Sequence, residues 1–517
     1  MQVDMVSINN QFAQPFAQSI RTLLAPFAID APDIMVSALV LDSREVAVHS
    51  AFVALKGHQQ DGRDFIPQAI SLGAKVIIRQ CDDAHLHGEL SMREQSVIID
   101  FYQLPEQLSQ LAAHFYQQPA TSLSVIAVTG TNGKTSVVQL SNQLAHLLGE
   151  RSASIGTLGA GVYQSGQTLV ETSNTTPDAI SMQRLLAEFV GEGVAQVALE
   201  ASSHALVQQR LAALKTDVAI FTNLTRDHLD YHHSMENYAA AKRRLLHQPG
   251  LGFVVVNGND AEHTQWLNHK PDAVTAVIYG LNINVSSIAK THRYCIASNL
   301  QYTRDGVRFS LQSSWGNGEL RISLIGPFNV ANVLAAITGQ LCLGKSLKSI
   351  VYVAQKLRPV AGRMELFSQP AQAAIVVDYA HTPDALEKTL LAIRQHCHGK
   401  LWCIFGCGGD RDSGKRPLMG EIAERLADAV IVTDDNVRSE DPAQIIQQIL
   451  AGCHAPQQIQ VEHNRAKAIS LALQQSAEED VILVAGKGHE NYQIIGQTRL
   501  PYDEREFVKQ LQQGKNL

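Results

Sequence analysis

Aliphatic and β-branched residues fall along this chain in short runs, each followed by a polar loop and then a stretch with helical spacing. In residues 1–105 the runs AFVAL (51–55), KVIIR (75–79) and SVIID (96–100) surround a helical stretch, DFIPQAISLGA (64–74), and predict a small α/β module. Residues 106–356 open with a helix, EQLSQLAAHFYQQ (106–118), and continue through VIAVTG (125–130), VAQVALE (194–200), TDVAIFTNL (216–224) and GFVVVNG (252–258). Runs that are apolar throughout, rather than alternating, mark strands buried on both faces of a parallel sheet. In residues 357–517 strand, polar loop and helix recur four times, at AAIVVD (373–378), KLWCIFG (400–406), DAVIVT (428–433) and DVILVAG (480–486). This predicts a second, doubly wound Rossmann-like sheet. The expected architecture is α/β in three domains: 1–105, a central phosphate-loop domain at 106–356, and 357–517. Region 259–320, with AVIYG, GVRFSLQ and LRISL, fits an antiparallel extension.

Length supports this division, because 517 residues exceed what one hydrophobic core organises. Hydrophobic residues make up 45% and charged residues 18%, the balance of a soluble globular protein. A net charge of −7 gives no field that favours nucleic acid or an anionic membrane. Seven scattered cysteines without a C-x-x-C point to a reducing compartment rather than to disulfides or structural zinc. The start MQVDMVSINN lacks the pattern of a signal peptide, and no apolar run is long enough to span a membrane. The expectation is a cytosolic monomer acting on small molecules.

The chemistry concentrates at strand ends, where open α/β sheets bind ligands. In the central block, Gly130-Thr131-Asn132-Gly133-Lys134-Thr135-Ser136 follows a buried strand and precedes a helical pattern. Glycines let backbone N–H groups close on phosphate oxygens, and the helix N-terminus favours negative charge. Lys134 can reach the β- and γ-phosphates of ATP, and the Thr135 hydroxyl can ligate Mg²⁺. The motif departs from the full phosphate-loop pattern, since Val128 stands where its first glycine would be. Glu200 ends a buried strand and is placed to hold Mg²⁺. The cluster Asp227-His228-Leu229-Asp230-Tyr231-His232-His233 crowds its ligands too closely for zinc, so His228 is expected to hold a second Mg²⁺, with His232 and His233 on the surface. Lys242, in MENYAAAKRRLL, reads as an ordinary helix lysine.

In the last block Arg411, Asp435, Asn436, Arg438 and Glu490 occupy strand-end loops or their flanks. Guanidinium groups recognise carboxylates and carboxylates accept an ammonium, so the set suits an amino acid. A surface salt-bridge network is the competing reading. The loops of the two blocks are expected to face each other across a cleft.

GTNGKT (130–135), EASSH (200–204), TNLTRDHLDYH (222–232), GPFNVANVLAA (326–336), GRME (362–365) and DYAHTPDAL (378–386) together resemble the Mur ligases, the ATP-dependent amide ligases of peptidoglycan synthesis. LDSREV (41–46), GHQQDGRDFIPQA (57–69), NTTP (174–177), GCGGDRD (406–412), DDNVR (434–438) and GKGHE (486–490) are similar to the branch that adds the third residue of the stem peptide. The resemblance implies that Leu41, Ser43, His58, Gln59 and Gln60 bind the uridine nucleotide, and that Asn174, Thr175, Thr176, Ser202, Gln208 and Arg210 hold the muramoyl-dipeptide. It implies that Asn332, Arg363 and Asp378 contact ATP, that Lys242 is carbamylated and becomes a Mg²⁺ ligand beside Thr135, Glu200 and His228, and that Gly486 lines the amine site with Arg411, Asp435–Arg438 and Glu490. Lys134, Glu200, His228 and Lys242 would be the catalytic set.

The resemblance to that branch implies meso-diaminopimelate or L-lysine as the amine, which differ by a distal carboxylate. Arg438 is the signature for diaminopimelate, because it attracts that carboxylate and repels a lysine ammonium. Val437 replaces the usual proline and is expected to loosen the loop. The alternatives are a relative that adds another amino acid, such as L-lysine, and a phosphate-loop ATPase with no ligase activity.

Overall fold

The computed structural model describes residues 16–57, 60–164 and 169–514. It divides into two compact units, 1–277 with 342–344 and 278–341 with 345–517, and the chain crosses between them within the strand Thr275–Leu281.

The first unit contains two larger sheets and a two-stranded one, Gln18–Ser19 with Met35–Val36. The N-terminal one has five strands in the order Ala38–Val40, Ser50–Ala54, Val76–Cys81, Ser96–Tyr102, Leu90–Arg93, parallel except for the last. Its side chains alternate between two cores. Val53, Ile78, Ile99 and Phe101 pack with Leu104, Leu108 and Leu111 of the helix Leu104–Phe115. Phe52, Ile77 and Ile98 pack with Ile66 and Ile70 of the helix Ile66–Ser71. Full burial of one such aliphatic side chain contributes roughly 1.5–3 kcal/mol, so both faces hold the sheet.

The central sheet runs Gly159–Val162, Ser152–Gly156, Gln196–Glu200, Ser124–Thr129, Val218–Phe221, Phe253–Asn257. All neighbours are parallel except the first pair. Its inner strands are buried throughout except at Ser124, as runs without alternation require. Ser124–Thr129 lies between Gln196–Glu200 and Val218–Phe221, so the loops after these three strands emerge side by side.

The second unit contains an antiparallel meander, Arg293–Thr303, Gly306–Ser313 and Gly316–Ile322, which accounts for GVRFSLQ and LRISL. Its larger sheet runs Glu365–Phe367, Ala374–Asp378, Val481–Ala485, Leu401–Phe405, Ala429–Val432, Gln460–Val461, parallel apart from the first strand. Helices Pro383–Arg394, Lys415–Leu426 and Pro442–Leu450 cover one face; Arg465–Gln475 and Glu504–Gln512 cover the other. The doubly wound expectation is met here. A hairpin, Tyr492–Ile495 and Thr498–Pro501, follows the central strand and was not foreseen. Among the described residues no helix is long and apolar enough to cross a membrane.

Candidate active site

In the first unit the phosphate loop closes between the strand ending at Thr129 and the helix Lys134–Leu147. Gly130 has φ 148°, and a Cβ there would lie 1.8 Å from Thr222 Oγ1, so the position admits only glycine. Thr222 Oγ1 and Asn223 Nδ2 donate to the carbonyl of Asn132, at 2.6 and 3.0 Å, which fixes the loop against the neighbouring strand end. Gly133 forms the helix N-cap with φ 87° and supplies no side-chain cap. The first-turn N–H groups therefore have no capping side chain, as an anion site requires. Thr135 and Ser136 lie in that turn and are buried.

Two amines converge on one carbonyl. Lys134 Nζ donates to Gly130 O at 2.9 Å and to Thr131 O at 3.0 Å. Lys242 Nζ, on the helix Met235–Arg243, donates to the same Gly130 O at 2.8 Å and stands 4.4 Å from the centre of the Tyr238 ring. Lys242 is not the ordinary helix lysine that its spacing indicates, since it is 1% exposed. Burial, reinforced by the Lys134 charge, holds its amine well below the usual lysine range.

Glu200 is also 1% exposed. Its Oε1 accepts the Thr157 N–H at 2.8 Å, and its Oε2 accepts the Thr157 hydroxyl at 3.3 Å. No cation pairs with it among the described residues. A buried carboxylate without a cationic partner, one strand from the phosphate loop, fits a divalent ion. His228 has a left-handed backbone (φ 53°), and its ring lies 5.1 Å from that of His204. Its side chain is 45% exposed and lies 3.5 Å from Asp227 Oδ2, which opposes the shift, but partial desolvation with the Lys134 and Lys242 charges lowers its pKa. The neutral imidazole that results can act as a metal ligand. His232 differs from expectation. It is buried, bonds Ser203 Oγ at 2.9 Å, and is pushed down to about 4 by burial with His204 and His228 nearby. Its neighbour His233 is exposed.

Four of the residues assigned to the dipeptide, Thr176, Ser202, Gln208 and Arg210, form one connected group. Thr176 Oγ1 donates to the carbonyl of Glu200 at 2.6 Å and lies 3.1 Å from Ser202 Oγ. Arg210 donates to Thr176 O at 2.7 Å and to Gln208 Oε1 at 2.6 Å. Thr175 bonds Thr157, while Asn174 is exposed. In the N-terminal sheet, buried Ser43 donates to Gln68 Oε1 at 2.9 Å, Leu41 is half-buried and Gln60 is exposed. His58 and Gln59 lie outside the described residues.

In the second unit, Asn332 is buried on the helix Pro327–Cys342. Asp378 accepts the N–H groups of Met364 and Ala380 at 2.8 and 2.9 Å and the Thr389 hydroxyl at 3.2 Å. Its carboxylate thus shapes the strand end. The Arg363 guanidinium lies 4.5 Å over the Tyr379 ring, with its Nε buried and unpartnered, a donor suited to a phosphate or a ribose oxygen.

The expected amine site comes together from three loops. Gly408 sits between its arginines, for a Cβ there would meet Arg438 Nη1 at 3.0 Å and Arg411 Cγ at 3.8 Å. Arg438 has a left-handed backbone, φ 51°, and its Nη1 donates to Gly409 O at 2.7 Å. The unforeseen hairpin holds that backbone on both sides: Arg438 N–H donates to Ile494 O at 3.1 Å, and Gly496 N–H donates to Arg438 O at 2.8 Å. Val437, which stands where proline is usual, is buried in the core beneath the loop. Asp435 Oδ2 closes on Gly486, where a Cβ would come within 2.8 Å. Asn436 Nδ2 donates to Glu490 Oε2 at 3.0 Å.

Sequence reading missed three buried cations here. Arg416 chelates Glu440, whose Oε1 accepts the Asp410 N–H, joining two of the loops. Arg465 pairs with Glu504 and donates to Ala485 O at 2.8 Å. Lys487 is fully buried beside Asn436. Lys487 stands inside the GKGHE motif already singled out, but only tertiary burial separates it from a surface cation.

A phosphate-type loop stands in one unit, and a Rossmann-like sheet with charged strand-end loops stands in the other. Three family models match the chain: Mur ligase family, catalytic domain at 36–116; Mur ligase middle domain at 128–339; and Mur ligase, glutamate ligase domain at 362–488. The chain is 46% identical over 476 residues, 92% of its length and 96% of the relative's, to the UDP-N-acetylmuramoyl-L-alanyl-D-glutamate–2,6-diaminopimelate ligase of Haemophilus influenzae. A solved structure with the same description superposes with a TM-score of 0.70 at 34% identity, covering 96% of this chain and 99% of that one. MurF from Acinetobacter baumannii, at 18% identity, shares the fold with a TM-score of 0.65 over 96% of this chain and 99% of its own. The chain belongs to the Mur ligase family.

Proposed function

We propose that the protein is the ATP-dependent ligase that joins meso-diaminopimelate to the D-glutamate of UDP-N-acetylmuramoyl-L-alanyl-D-glutamate in peptidoglycan synthesis. The observation that carries this reading is the 46% identity to the Haemophilus ligase across 92% of the chain. The arrangement of Arg438 and Glu490 agrees with it, because a guanidinium and a carboxylate suit a substrate end bearing both charges.

Amide formation from a carboxylate and an amine needs a leaving group. The D-glutamate carboxylate attacks the γ-phosphorus of ATP, an acyl phosphate forms and ADP departs. The amine nitrogen then attacks the acyl carbon, loses a proton, and phosphate leaves. The uncapped helix start at Gly133 and the Lys134 ammonium would hold the phosphates. Thr135, Glu200, His228 and a carbamylated Lys242 would hold Mg²⁺, which, when bound, neutralises charge on the transferring phosphoryl group. Burial favours the neutral Lys242 amine, the form that can take up carbon dioxide. Thr176, Ser202, Gln208 and Arg210 would orient the dipeptide, Asn332 and Arg363 would receive the nucleoside end of ATP, and Asp378 would hold the strand end beside them. The uridine nucleotide is assigned to the N-terminal sheet through Leu41, Ser43 and the 58–60 segment. The protein is taken to act as a cytoplasmic monomer.

The test is ADP release with ATP, Mg²⁺ and the nucleotide-dipeptide, comparing meso-diaminopimelate, L-lysine and no amine, with mass spectrometry of the product. A tripeptide with diaminopimelate alone is expected. Turnover with lysine would keep the ligase and discard the Arg438 argument. Phosphate release without an amide would discard the ligase.

A further inference from the structure

Lys487 is buried completely between two of the loops assigned to the amine. Its Nζ donates to Tyr492 O at 2.8 Å, to Asn436 Oδ1 at 3.0 Å and toward Glu490 Oε2 at 3.4 Å. Three acceptors meet the three donors of an ammonium, leaving it none to offer a ligand. Its effect is on the neighbours. Asn436 Oδ1 also accepts the Ile494 N–H at 2.9 Å, while Asn436 Nδ2 donates to Glu490 Oε2 at 3.0 Å. Donors on one end of the amide and an acceptor on the other prevent it from turning over. Glu490 Oε2 thus receives two N–H donors, and Glu490 Oε1 receives none among the described residues. The Glu490 side chain is 18% exposed, so one oxygen is engaged within the protein and the other is left toward solvent.

We infer that Lys487 is a positioning residue for recognition of the incoming amine, an inference that rests on the amine site assigned above. It fixes the amide of Asn436, holds one oxygen of Glu490, and so leaves the second oxygen oriented for the substrate's ammonium. The turn that carries it is closely packed: a Cβ at Gly488 would meet Gly362 O and Tyr379 Cβ, each at 2.7 Å. Lys487 therefore has a fixed place from which to orient its partners.

The experiment measures KM for diaminopimelate, ATP and the nucleotide-dipeptide in wild type, Lys487→Gln, Asn436→Ala and the double variant, with thermal melts of each. Lys487→Gln is expected to raise KM for diaminopimelate about tenfold or more, the loss of one charge-assisted contact, with the other two KM values changed less than about twofold. Asn436→Ala and Lys487→Gln should be non-additive, because one acts through the other. An unchanged KM for diaminopimelate, a parallel change in all three, or strict additivity would overturn the inference. If Lys487→Gln does not fold, Lys487→Arg carries the test. Its longer donor displaces Asn436 and should raise KM for diaminopimelate alone, and any other pattern refutes the role. A wild-type enzyme that forms no diaminopimelate product fails at the first assay, which separates loss of the functional reading from loss of this one.

Discussion

The amine of Lys242 lies 2.8 Å from the carbonyl oxygen of Gly130, at the bend of the phosphate loop. A helix lysine has reached across the unit to the loop, and Tyr238 covers it. In this place Lys242 is neither a surface charge nor a partner in an ion pair. Replacement by arginine would force a permanent cation beside Lys134. Lys242→Arg and Lys242→Ala are each expected to lower kcat about a hundredfold or more, with KM for diaminopimelate little changed. Native mass spectrometry should show one added carbon dioxide on wild type, lost on acidification and absent from both variants.

Acid should weaken the fold through His232. Its folded pKa is about 4 against an ordinary 6.5, so the unfolded chain binds the proton first. Stability from this residue is constant above pH 6.5 and falls as the pH drops toward 4, by up to about 3 kcal/mol. Urea melts at pH 7.5 and 5 should show a steeper loss in wild type than in His232→Gln, with the pH values chosen at roughly either side of the free imidazole's titration. Equal slopes would rule out His232 as the source.

Arg438→Ala should remove the guanidinium and leave the loop, because the hairpin bonds reach Arg438 through its backbone. KM for diaminopimelate is expected to rise about a hundredfold, and KM for ATP to stay within about twofold. Steady-state kinetics with each substrate varied in turn would check this. Equal losses for both would assign Arg438 to the fold.

Arg465 and Glu504 form a fully buried pair. Removing one partner leaves an uncompensated charge, so Glu504→Leu should cost roughly 3–5 kcal/mol. Arg465→Met with Glu504→Leu should recover most of that stability in chemical denaturation, while KM for diaminopimelate stays raised, since Arg465 also holds Ala485 O and lies 3.9 Å from Asp435. Full recovery of KM would confine the pair to stability.

A Cβ at Gly130 would strike Thr222 Oγ1 at 1.8 Å, on a backbone that L side chains rarely adopt. Gly130→Ala is expected to raise KM for ATP at least about tenfold through a displaced loop. Binding of a fluorescent ATP analogue would measure it directly.

How much of this was legible depended on how local each signal was. The phosphate loop is written in consecutive residues, strand, glycines and helix, and both parallel sheets in unbroken apolar runs. Glu200 was legible because an acid at the end of a buried strand is chemically out of place. Lys242 was not, since MENYAAAKRRLL has the spacing of an exposed helix and only Tyr238 and Gly130, brought in by the fold, bury it. His232 failed for the same reason: Ser203, far away in sequence, is its partner. Lys487 and the hairpin at 492–501 were hidden by distance too, because Lys487 bonds Asn436 as well as its near neighbours and the hairpin bonds Arg438.

The hairpin that pinches the backbone of Arg438 separates a label from its meaning. The Asp-Asn-x-Arg loop reads as a tag for one substrate, yet here the backbone that carries its arginine is held by Ile494 and Gly496, while Gly409 O receives the guanidinium. Lengthening or tilting that hairpin would swing the guanidinium with every residue of the loop intact. If Arg438 reads the incoming amine as proposed, preference would then depend on the hairpin as well as on the loop, and two relatives with identical loops need not choose alike.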